Sequence, residues 1–193
     1  MLKKNKIILA SSSKQRQVLL RQLGINNFKI MPPTFDEENY KEKLPITKKV
    51  VELSYLKAQS IKSNSKTTDE IIISADTEVF RCGKAFSKCF SKDDVKNYLS
   101  QLSGRKHLVF GGICVIDHSG NIHKRFVKSE VYFDFISNKD LSNPLLLNEG
   151  IGKAGGYAIQ GMGGKFVKKI RGSYSNVVGL CLNSLYKILI NIG

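Results

Sequence analysis

The chain has 193 residues, of which 41% are hydrophobic and 24% charged. That is enough to bury the core of one globular domain and too apolar for a disordered chain. Lys and Arg total 31 against 16 Asp and Glu, a formal charge of +15, so anionic partners are favoured: nucleotides, nucleic acid or a membrane surface.

A lysine-biased, solvated surface accounts for that excess equally well, because the lysines are spread over all segments. Cys82, Cys89, Cys114 and Cys181 form no CxxC pair. Neither a zinc site nor a disulfide framework is expected, and a reducing cytoplasm is the simplest setting. The start, Met1 to Lys6, is basic, but the apolar run behind it, Ile7 to Ala10, is too short for a signal-peptide core. Val177 to Ile192 is interrupted by Asn183, Ser184 and Lys187, so it reads as a packed amphipathic helix and no membrane partner is expected.

In chain order, Ile7 to Ala10 reads as a short buried strand running into Ser11-Ser12-Ser13. A helix follows with Val18, Leu19, Leu20 and Leu23 on one face and Gly24 as its stop. A strand, a hydroxyl-rich turn and a helix N-terminus suit phosphate oxygens, although an ordinary helix cap explains the serines too. Phe35-Asp36-Glu37-Glu38-Asn39 is an acidic cluster beyond the Pro32-Pro33 turn. Thr47 is expected to cap a helix whose apolar set is Val50, Val51, Leu53, Leu56 and Ala58, with Lys57 near its end.

Ile71 to Ala75 is a strongly β-type run that is expected to end in Asp76-Thr77. An acid at the carboxyl end of a buried strand is where α/β folds place chemistry, though it can also cap a turn. Ser91 opens a helix with Val95, Tyr98, Leu99 and Leu102 inward and Gly104 after it. Leu108 to Ile116 and Ile122 to Ile136 are strand-like, with a hairpin turn at His118 to Asn121. A helical piece broken at Pro144, a strand around Phe166 to Ile170 and a final helix complete the chain. Helices and strands alternate, but the hairpin makes the sheet mixed: an α/β fold.

Two strings are set aside. Gly150-Ile151-Gly152-Lys153-Ala154-Gly155 matches GxGxxG, yet no clear strand feeds it and no acid follows Glu149. No P-loop and no G-x-S-x-G nucleophile elbow occurs, and His107, His118 and His123 lack a ligand spacing. What remains is an inventory: Asp76 and Glu37 as hard oxygen ligands, Lys57, Lys88 and Arg16 as cations, and Ser11 with a glycine-rich 155–164 region as donors. It fits hydrolysis of a polyphosphate with a divalent metal, but periodicity cannot show that these groups converge.

The order of motifs resembles the Maf family of nucleoside triphosphate pyrophosphatases. Leu9-Ala10-Ser11-Ser12-Ser13-Lys14-Gln15-Arg16 is similar to its opening L-A-S-x-S-P-R-R, and Ala75-Asp76-Thr77-Glu78-Val79 to its A-D-T-x-V. Glu37, Lys57-Ala58 and Leu102 to Val109 match further positions, as do the unbroken strings Lys153 to Gly161 and Gly172 to Leu180. The resemblance implies a mixed twisted sheet flanked by helices, in a single 1–193 domain of Maf or inosine-triphosphatase type with two lobes and a central cleft.

It also implies a function: metal-dependent hydrolysis of nucleoside triphosphates, dTTP and UTP for the Tyr157-Ala158-Ile159-Gln160-Gly161 string, to monophosphate and pyrophosphate, removing unwanted or modified nucleotides. Asp76 would act as base or metal ligand and Glu37 as second ligand, for Mg²⁺ or Mn²⁺. Lys57 and Lys88 would neutralise phosphate charge, with Lys84 a rival to Lys88. Ser11, Gln15, Arg16, Thr77 and Gln160 would bind substrate. A cytoplasmic homodimer is implied as well.

The chain departs from the pattern at Lys14 and Gln15, which replace Pro-Arg, and at Cys89, Gly111 and Cys181. One phosphate-binding guanidinium is thereby lost, which an ammonium does not replace bidentately. The alternatives are a catalytically weakened nucleotide-binding regulator linked to septum formation and a basic nucleic-acid-binding protein. No RNA motif or helix-turn-helix pattern supports the latter.

Overall fold

The computed structural model describes residues 6–37, 39–40, 42–63 and 70–192. Glu38 of the acidic cluster and the basic start before Lys6 lie outside the described residues. The strands are β1 (Lys6–Leu9), β2 (Phe28–Ile30), β3 (Glu70–Arg81), β4 (Lys84–Phe86), β5 (Lys106–Ile116), β6 (Ile122–Phe133) and β7 (Val167–Arg171). The helices are α1 (Lys14–Gln22), α2 (Ile46–Lys62), α3 (Lys92–Leu102), α4 (Asn138–Leu141), α5 (Pro144–Gly150), α6 (Tyr174–Val178) and α7 (Leu182–Ile192), with a 3-10 turn at Met162–Phe166.

One seven-stranded sheet carries the order β2-β1-β3-β5-β6-β7, with β4 paired to β3. β1 is parallel to β2 and β3, while β4 and β7 run antiparallel to β3 and β6. The sheet is mixed, as the hairpin reading required, and no helix among the described residues is long and apolar enough to cross a membrane.

Two compact units divide the chain. The first comprises residues 1–76, 111–127 and 179–193. In it, Ala58 and Ile61 of α2 pack on Ile8, Ile72, Cys114 and Ile116 of the sheet. The backbones touch where they do because residue 112 is glycine: a Cβ there would run into the carbonyl of Val50. The second unit comprises 77–110 and 128–178, and its core joins Val95, Leu99 and Leu102 of α3 to Val131, Phe133, Leu146, Tyr157 and Phe166. Its first hairpin turns through Cys82 (φ 48°) and Gly83 (φ 78°), both left-handed, the pattern that reverses a tight two-residue turn with the twist of its strands.

Several local expectations are corrected. Asp76 does not end a strand: β3 continues five residues past it, to Arg81. α2 starts at Ile46 behind Pro45, without a side-chain cap from Thr47. Val18 is exposed while Leu19 and Leu20 are buried. Pro144 begins α5, where its missing N–H costs nothing and Asn143 caps the turn. The single final helix is two, separated at Gly179, whose φ of 137° ends α6. Ser91 does open α3, through a capping box with Asp94.

Candidate functional site

Six of the nominated side chains lie in the first unit, and five of them are linked directly, as a triad and a pair. Lys57 projects from the buried face of α2, and its Nζ donates to Asp76 Oδ1 at 2.6 Å and pairs with Glu37 Oε1 at 3.0 Å. Lys57 and Asp76 are almost fully buried, whereas Glu37 is about one-third exposed. A buried charge persists only when compensated, so the triad of one ammonium and two carboxylates explains how an acid stands in the middle of a buried strand. The helix is anchored next to it by Ser74, whose hydroxyl donates to the Ser54 carbonyl. Asp76 Oδ2 is buried and takes no hydrogen bond.

The strand-to-helix turn supplies the second part. Arg16 donates from Nη1 to Ser11 Oγ at 3.0 Å and from Nε to the Gly179 carbonyl at 3.0 Å, so Ser11 and Gly179 fix the guanidinium together. Burial pulls Arg16 below its usual value, while the charges of Asp76 and Glu37 oppose that shift, which places the arginine in the field of the two carboxylates. Ser13 caps α1 by accepting from Arg16 N. Gln15 is half-buried, and its Oε1 accepts from the Ser13 hydroxyl at 3.3 Å.

Thr77, Lys88 and Gln160 belong to the second unit. Thr77 directly follows Asp76 and is half-buried. Lys88 is exposed on a segment whose backbone bridges to Ala154, with Cys89 N donating to the Lys153 carbonyl. The string 153–155 is thus the support of the lysine segment. Lys84 donates to Gln101 Oε1 and lies over the Phe86 ring. Gln160 is exposed at the tip of a turn in which Gly161 N donates to the Ala158 carbonyl at 3.1 Å.

Two features escaped the sequence reading. Ser54 and Lys57 occupy positions on the apolar stripe of α2, and polar residues in such a stripe were the available signal for a buried charge pair. Glu149, the last acid in the chain, holds the backbone just beyond Gln160.

The family model for "Maf-like protein" matches residues 6–192, nearly the whole chain. The chain belongs to the Maf-like family. Among Maf-like relatives, a "dTTP/UTP pyrophosphatase" of Clostridium novyi is 41% identical over 97% of this chain and 98% of its own. Proteins of the same name from Clostridium perfringens and Chelativorans are 39% and 37% identical, over 96% and 95% of this chain and 96% and 90% of their own.

Proposed function

We propose that this chain hydrolyses nucleoside triphosphates, dTTP and UTP foremost, to the monophosphate and pyrophosphate with a divalent metal. The convergence of Asp76, Lys57 and Glu37 with Arg16 and Ser11 in one unit carries this reading, and the names of the relatives agree with it.

The residues present suit a hard cation. Asp76 Oδ2 is a buried carboxylate oxygen without a partner, and Glu37 offers a second carboxylate beside the same lysine. These two carboxylates would hold Mg²⁺ or Mn²⁺, which usually takes one or two protein carboxylates and fills its shell with phosphate oxygens and water. When bound, such an ion supplies charge stabilisation on the phosphate oxygens.

The chain's own groups do the rest. Lys57 holds the Asp76 carboxylate in place, so that Asp76 can take the proton of a water attacking the α-phosphorus. The bond to the β-phosphate bridging oxygen breaks and pyrophosphate leaves. Arg16, Ser11 and Lys88 bind the phosphate chain, and Gln160 reads the base. An amide carries one donor and one acceptor side by side, complementary to the N–H and carbonyl edge that uracil and thymine share. The same reading makes the protein a cytoplasmic homodimer, to be checked by sedimentation.

The deciding experiment is pyrophosphate release over a panel of nucleoside triphosphates with Mg²⁺, Mn²⁺ and EDTA. Metal-dependent turnover of dTTP and UTP is expected. Silence over the panel would favour the binding-only regulator, with Gln15 as the first suspect.

A further inference from the structure

The Gln160 turn is held from behind by one side chain. Glu149, in the last turn of α5, accepts from Met162 N at 3.0 Å and from Gly163 N at 3.2 Å. These are the second and third residues after Gln160, and they open the 3-10 turn Met162–Phe166. A carboxylate bound to two successive amides makes charge-assisted hydrogen bonds, about twice as strong as neutral ones. Its approach depends on Gly161, because a Cβ at that position would collide with Glu149 Oε2. The other flank of the turn is equally fixed. Tyr157 is buried against Phe133, and its hydroxyl lies 2.8 Å from His107 Nε2.

Gln160 is thus an exposed side chain on backbone clamped at both ends. The chain has spent its last carboxylate on that clamp: no acid occurs from residue 150 to the C-terminus.

We infer that Glu149 is the positioning residue of the base-reading turn: it touches no substrate but fixes the backbone from which Gln160 selects uracil and thymine. The inference rests on the base-reading role of Gln160 given above. Hydrogen-bond selection requires donors and acceptors placed to within about half an ångström. A turn freed from Glu149 would present the amide in many orientations and lose discrimination before it loses hydrolysis.

The test compares kcat/KM for UTP with that for CTP, whose ring edge has the reverse donor–acceptor order, in wild type, Glu149→Ala, Glu149→Gln, Gln160→Ala and the double variant Glu149→Ala/Gln160→Ala. Wild type is expected to favour UTP, and Gln160→Ala to erase that preference. Glu149→Ala should lower the UTP/CTP ratio at least tenfold, mainly through KM for UTP. Glu149→Gln, which retains an acceptor oxygen, should fall between. The double variant should be no less selective than Gln160→Ala alone, since both changes act through one amide.

Hydrogen exchange at Met162 and Gly163 should accelerate in Glu149→Gln. That variant also serves if the alanine form does not fold. No UTP preference in wild type, or an undiminished one in Gln160→Ala, overturns the base-reading role itself. Loss of selectivity in Gln160→Ala with full selectivity in both Glu149 variants overturns only the positioning role. Independent, additive losses in the double variant would do so as well.

Discussion

Asp76 shows how much chemistry a single side chain can take from its neighbours. One carboxylate oxygen is spent on Lys57 and the other is left uncommitted. The isosteric change Asp76→Asn keeps an acceptor for Lys57, and Glu37 still compensates the ammonium. The variant should therefore fold normally, with a melting temperature near that of wild type, and lose about a thousandfold in turnover, a typical worth for a general base. Pyrophosphate release beside a thermal melt tests both halves; near-normal turnover would remove Asp76 from its assigned role. The identity of this residue was legible in the chain, but its setting was not. Asp-Thr-Glu interrupts an apolar run and looks like a strand end, and only the ion pair with a lysine nineteen positions earlier explains why the strand can continue.

Elements carry the side chains, and two of them make distinct predictions. α2 brings Lys57 to Asp76 because its backbone lies directly on β5 at Gly112. Gly112→Ala would drive a methyl into the Val50 carbonyl and the Val51 amide. Backbone cannot swing aside as a side chain can, so the cost should be about 2 kcal/mol or more, read as a lower denaturant midpoint and accompanied by loss of activity as α2 shifts.

On β5 the buried His107 ring packs against Phe133 and Tyr157. Burial, with Arg81 nearby, pulls its pKa from 6.5 down to about 4. The unfolded chain then binds a proton that the folded chain refuses. Stability is full above pH 6.5, falls as the pH drops through the interval down to about 4, and is lower by about 3 kcal/mol at its end. Denaturant titrations at pH 7, 5.5 and 4 should show that decline in wild type and a weaker one in His107→Gln. Helix caps were readable where a side chain does the capping, as at Ser91. They were misread where backbone geometry alone begins the helix, as at Pro45, because proline before a helix carries no hydrogen-bond signature.

For the molecule as a whole, alternation of strands and helices plus one hairpin sufficed to read a mixed α/β sheet. The division into two units was not readable as a boundary, for a physical reason. The chain passes between them at residues 76–77, 110–111 and 127–128, inside β3, β5 and β6, and at 178–179. A continuous strand needs no flexible, polar or proline-rich linker, so no composition shift marks the passage.

The charge of +15 belongs to this scale too, since it acts as a field rather than through one contact. It should speed capture of a polyanionic substrate and be screened as the Debye length falls from about 10 Å at 0.1 M salt to about 3 Å at 1 M. Stopped-flow or steady-state kinetics across a potassium chloride series should show kcat/KM dropping several-fold while kcat changes little. A flat kcat/KM would mean that the excess lysines are only surface solvation.

The left-handed turn at Cys82 has a practical consequence. Of the four thiols only this one is exposed. Burial pushes Cys89 up to about 11, with Asp94 adding to it, and Cys114 up to about 12, and a thiol kept protonated and covered reacts slowly with electrophiles. A maleimide dye should therefore attach at a single place without any engineered cysteine. The native protein comes with its own fluorescent address, at the tip of the β3–β4 hairpin.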